Sequence, residues 1–226
     1  MRCCCGAAVA LMLCFASTAF ATSDTVTLTG LDPNHLDGYS VGPYIGTVNT
    51  VANAPVICDD FSDTSKIGKT YTDTVNTFSD LGNTLWGAFL MSKQGGNHKL
   101  SYVTQLYDEA AWLTLQLLNP ANSKSIGNIQ FAIWALFNGN ALKKDPNARS
   151  WLTLAGEQSF YAGEFSNFLI LTPTCTNGPG TCGGQEFFEI VPEGGSALMY
   201  LLLAGVSCVA VMFQAYRRRT TRSRLV

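Results

Sequence analysis

Residues 125–138 read SIGNIQFAIWALFN, and this stretch decides how the rest of the chain has to be arranged. Ile126, Ile129, Ile133, Trp134 and Phe137 recur at helical spacing, with Gln130 inside the same stripe. Phe131, Ala132 and Ala135 make the opposite side apolar as well. A helix that is apolar all round belongs at the centre of a core rather than on a surface. Ser125 stands where an N-cap is expected. An unpaired glutamine amide buried there costs about 1 to 3 kcal/mol, so Gln130 needs a partner or has to react.

The segments on either side supply the surroundings. Upstream, 101–118 carries Val103, Leu106, Tyr107, Ala110, Leu113 and Leu117 on one stripe and reads as a second helix. Downstream, 151–165 is expected to be helical, with KKDPNARS (143–150) as the loop before it. Nearer the N-terminus, TVTLTG (25–30), YSVGPYIGTV (39–48), APVICDDF (54–61) and KTYTDTVNTF (69–78) alternate apolar with polar residues between Gly and Pro breaks. They read as short strands. FLILTPT (168–174) and EFFEIV (186–191) are two more. Strands, then helices, then strands predict an α+β fold: a β-rich sandwich or barrel-like domain with a helical insertion, followed by one C-terminal transmembrane helix.

That last helix comes from the ends of the chain. Met1-Arg2, the apolar run AAVALMLCFASTAF (7–20) and Ala19-Phe20-Ala21 describe a signal peptide over 1–21, cut after Ala21. The exported domain is expected over 22–190. Residues 191–226 open with Val191, Pro192, Glu193, Gly194 and Gly195. An uncharged segment, 196–216, follows and would rise roughly 30 Å as a helix, one hydrocarbon thickness. Arg217, Arg218, Arg219, Arg222 and Arg224 come next and would hold the end on the cytoplasmic side.

This three-part tail resembles the PEP-CTERM sorting signal of Gram-negative bacteria. The resemblance implies an exosortase-like membrane sorting enzyme as partner, with delivery to the envelope, the cell surface or an exopolysaccharide-rich biofilm matrix. Here the motif reads Val-Pro-Glu-Gly-Gly, without a second proline.

The chain is 13% charged, with net charge −2 and pI near 5.6. Its clustered basic residues sit in the tail, so no basic stripe for nucleic acid is expected. Of eight cysteines, Cys3, Cys4, Cys5 and Cys14 fall in the signal peptide and Cys208 in the span. Cys175 and Cys182 bracket the turn TNGPGT between two strands, and a disulfide is expected there. That leaves Cys58 odd in an exported domain.

ICDD (57–60) and IQFAIW (129–134) together resemble the two halves of the bacterial thioester domain of surface adhesins. The resemblance implies a thioester between Cys58 and Gln130, with Ile133 and Trp134 as the packing that supports it. It also implies a covalent target bearing a surface amine or hydroxyl. Ile129 and Ile57 stand where that family commonly has Thr or Ser and an aromatic residue. The bland alternative is that Cys58 is a small buried hydrophobe and Gln130 hydrogen-bonds to backbone.

Enzyme readings find little support. The two histidines, His35 and His98, lie in Gly/Asn-rich loops, away from any nucleophile pattern. Asp59, Asp60 and Asp63 lack the glycine and distal glutamate of a calcium loop and read as solvated carboxylates. Asp108 and Glu109 read as the solvated face of a helix. No metal and no cofactor is expected. The sequence therefore points to an exported surface or matrix protein and not an enzyme. Covalent adhesion comes first, a passive structural component of an extracellular polysaccharide matrix second, and a secreted hydrolase a distant third.

Overall fold

The computed structural model describes residues 23–31, 34–175 and 178–191. The signal segment and the tail from Pro192 onward, including the span 196–216, lie outside the described residues. Among those described, no helix is long and apolar enough to cross a membrane.

Among the described residues eight strands and five α-helices follow one another in the predicted sequence of strands, helices, strands. The strands are β1 (Ser23–Leu31), β2 (His35–Leu36), β3 (Tyr39–Ser40), β4 (Tyr44–Val48), β5 (Val51–Cys58) and β6 (Thr70–Asn76), with β7 (Phe168–Pro173) and β8 (Phe187–Ile190) after the helices. Between them lie α1 (Leu85–Met91), α2 (Leu100–Leu118), α3 (Ile126–Phe137), α4 (Ala141–Lys144) and α5 (Ala148–Gly156). Six strands close an antiparallel barrel in the order β1-β4-β5-β8-β7-β6. The choice between sandwich and barrel is thereby made in favour of the barrel.

The alternation read from the sequence is the alternation that closes it. Val26, Leu28, Val48, Val56, Ile170 and Phe188 are all buried. The long segment 39–48 does not run as one strand. It breaks at Val41–Pro43, and its first two residues pair back on β2 in a small hairpin. Asp37 and Gly38, at φ 50° and 82°, turn that hairpin in the doubly left-handed way such two-residue loops require.

The helices stack with α3 between α2 and α5. The whole predicted stripe of α2 is buried, and in α3 Ile129, Gln130, Ile133, Trp134 and Phe137 are buried. Two expectations need correction. Ser125 makes no capping hydrogen bond, because a 3-10 segment, Pro120–Ser125, runs directly into α3. The helix expected over 151–165 starts at Ala148 and ends at Gly156. Buried Asp145 initiates it from the supposed loop by accepting the Asn147 N–H at 3.0 Å, and turns fill the chain as far as β7.

Candidate functional site

β5 ends at Cys58, and the chain then turns under the helices. Cys58 is fully buried and is the one free cysteine among the described residues. Its thiol donates to the Asp60 carbonyl at 3.1 Å. Gln130, one turn into α3, is fully buried too. Its Nε2 donates to the Cys58 carbonyl at 2.6 Å, across 72 positions of sequence, and its Oε1 accepts the Gly42 N–H at 3.3 Å. The carboxamide is thus clasped between the last residue of β5 and the link from β3 to β4.

Gly42 has no room for a side chain. A Cβ there would lie 2.7 Å from Gln130 Oε1. Over the site lies the β2–β3 hairpin. Its Tyr39 packs against Phe61, Phe131 and Trp134 at ring distances of 5.2, 5.6 and 6.2 Å. Ile133 and Trp134 are buried beside it. The residues singled out in the sequence are therefore brought into one dry cluster.

Electrostatics keep the thiol protonated. Burial raises the Cys58 pKa well above its ordinary value, and the Asp60 and Asp59 carboxyls add to the rise. The Trp134 indole acts against the shift. Water is excluded from the same space, which strengthens every dipole in it.

The acids nearby overturn their reading as solvated residues. Asp59 and Asp60 are fully buried, and so is Glu186, which precedes β8. Glu186 accepts from Leu85 N–H at 2.6 Å, from the Tyr107 hydroxyl at 2.8 Å and from the Thr172 hydroxyl at 2.6 Å. Asp59 has no such donors, and its carboxyl faces Glu186. Burial, then the Glu186 and Asp60 charges, push its pKa well up. Burial raises Glu186 as well, but its three donors oppose the shift. The three donors make Glu186 the readier of the two to ionise, and Asp59 the firmer holder of its proton.

Asp63 is a clamp. Its carboxylate accepts from Gly180 N–H at 2.7 Å and Cys182 N–H at 2.9 Å, which fixes the hairpin closed by the Cys175–Cys182 disulfide. Glu109 is buried rather than solvated, and Asp108 is half-buried. Among the described residues no group of three His, Cys, Asp or Glu is placed to hold a metal ion.

Sequence reading missed Gly42, Tyr39 and Glu186. Glu186 left one signal: an acid flush against the apolar run Phe187-Phe188. Of the sorting motif only Val191 is described; its N–H donates to Asn167 O at 2.9 Å, which ties the last strand to the body. Set against protein families, curated proteins and solved structures, the chain gives no match.

Proposed function

We propose that this protein is an exported surface or matrix adhesin that joins covalently to its target through a thioester between Cys58 and Gln130. The tail would deliver it. An exosortase-like enzyme would act at Val191–Gly195 while the 196–216 span holds the precursor in the inner membrane. The observation that supports the covalent reading is the carboxamide of Gln130, fully buried and hydrogen-bonded to the Cys58 carbonyl and the Gly42 N–H.

The chemistry balances. The Cys58 sulfur adds to Gln130 Cδ, the C–N bond breaks, and the thiol hydrogen leaves with the amide nitrogen as ammonia. The Gly42 N–H stands at the oxygen that gathers negative charge during the addition, where a fixed donor is most effective. Holding the two groups together replaces a bimolecular encounter and supplies much of the barrier lowering. An amine on the target later attacks the same carbon. An amide forms, the C–S bond breaks, and the amine's hydrogen returns to Cys58. A hydroxyl would give an ester by the same route.

The second reading also has an observation behind it. Both ends of the Gln130 amide are hydrogen-bonded to backbone, which satisfies it without any reaction. The protein would then be a passive structural component of the matrix. Intact mass separates the two. The exported body is expected to weigh one ammonia less than its sequence, beyond the disulfide hydrogens, and to take up methylamine at Gln130. Cys58→Ala should restore the ammonia and abolish the uptake. A full mass, with a titratable Cys58 thiol after denaturation, leaves the passive reading standing.

A further inference from the structure

On the far side of the Asp59–Glu186 pair from Cys58 lies a cavity of about 470 Å³ between α1 and the end of β7. Its size falls within the range of small-ligand sites. Thr84 and Thr172 line it, Phe89 and Pro173 give it an apolar face, and Asn83 and Gln94 contribute amides. Among the described residues no ionisable side chain lines it.

The polar groups are not arranged alike. Thr84 is committed inward: its hydroxyl donates to Leu81 O, accepts from Gly87 N–H and lies 2.7 Å from the Tyr107 hydroxyl, whose hydrogen goes to Glu186. Thr172 donates to Glu186 and accepts from Asn76 Nδ2 at 3.0 Å, so one lone pair remains for an incoming donor. That oxygen is held rigidly by a buried carboxylate. The Asn83 and Gln94 side chains are exposed and have no hydrogen-bond partner among the described residues. Each offers a donor and an acceptor side by side, the pattern that two neighbouring hydroxyl groups satisfy. The far wall is braced by Cys175 and its disulfide, which Asp63 clamps.

We infer that this cavity binds a neutral saccharide. A carbohydrate ring supplies hydroxyl donors for Thr172, vicinal hydroxyls for the two amides, and a C–H face for Phe89. An anionic sugar would find no cation in the lining, and Glu186 beneath the floor would repel it. A peptide would bring backbone groups that a wall without an open strand cannot pair. The inference does not rest on the thioester; it gives the adhesin a second, reversible contact at the same end of the barrel.

The test uses the full chain in a detergent without a sugar headgroup. Saturation-transfer NMR and calorimetry would be run against neutral gluco-, galacto- and manno-oligosaccharides of two to four units, and against uronic acid oligomers of equal length. A neutral oligomer is expected to bind, and Asn83→Ala and Gln94→Ala are each expected to weaken it about tenfold. Both side chains are exposed, so neither variant should disturb folding. Cys58→Ala should bind as the parent does, and the two amide variants should show the parent's mass deficit relative to their own sequences, which separates this site from the covalent one. Failure of every neutral oligomer to bind, preference for the uronic acids, or unchanged binding by both variants overturns the assignment.

Discussion

Asp60 and Asp73 are carboxylic acids that the fold keeps protonated well above their ordinary range. Burial is the main cause in both. It raises Asp60 to about 8 and, with the Glu186 charge adding to it, Asp73 to about 7. In the unfolded chain both would ionise near pH 4. The native state therefore holds protons that the unfolded state has released, and the sign follows from linkage. Stability from these groups is complete below about pH 4, falls as pH rises through 7 and 8, and levels off above. Thermal melts of the body from pH 4 to 9 should show the midpoint dropping between about pH 4 and pH 8 and levelling off above. Asp60→Asn keeps the oxygen that accepts the Ser62 N–H and should flatten the drop near pH 8. A midpoint that is flat or rises between pH 5 and 8 contradicts the assignment. The same burial explains why these acids were illegible in the sequence. Two aspartates after an apolar strand look like a solvated turn, and only the return of β8 beside β5, which pairs Cys58 with Phe187, covers them.

At the scale of elements, the β3–β4 link and α3 meet through a glycine. Gly42→Ala places a methyl carbon 2.7 Å from Gln130 Oε1. The carboxamide has to move away from Cys58, although neither reactive residue has been changed. Overpacking of this kind typically costs about 1 to 3 kcal/mol. The variant should fold with a lowered denaturant midpoint and retain the mass of the missing ammonia. A Gly42→Ala protein that still loses ammonia would show that the clasp is not needed for bond formation. Helices and strands were largely readable at this scale because α2 and α3 keep their stripes and β1 and β6 their alternation. The exceptions have local causes. Asp145 starts α5 early, a 3-10 segment replaces the Ser125 cap, and the Asp37-Gly38 turn folds a hairpin out of what read as a continuous strand. The pairing of Cys58 with Gln130 was legible only as a resemblance between two short motifs. Periodicity placed each on its own element and could not bring the two together.

At the scale of the whole molecule, the described body ends where the tail begins. Val191 is hydrogen-bonded to Asn167, so a sorting enzyme would meet Pro192 and Glu193 directly after a rigid strand. Replacing both with alanine should leave the precursor uncut in the inner membrane, as seen by fractionation and by the size of the protein on a gel. Arrival of the variant at the surface, at the same size as the parent, would leave a plain anchor in place of a sorting signal. Closure of the barrel has a further consequence for a protein that would be displayed at high density. Every one of the six barrel strands has a neighbour on both sides, and among the described residues only the two-residue strands of the small hairpin have open flanks. The described body therefore offers crowded copies little strand edge for fibre growth by strand addition. Contact between such bodies would then run through side chains, and each body would keep its own fold.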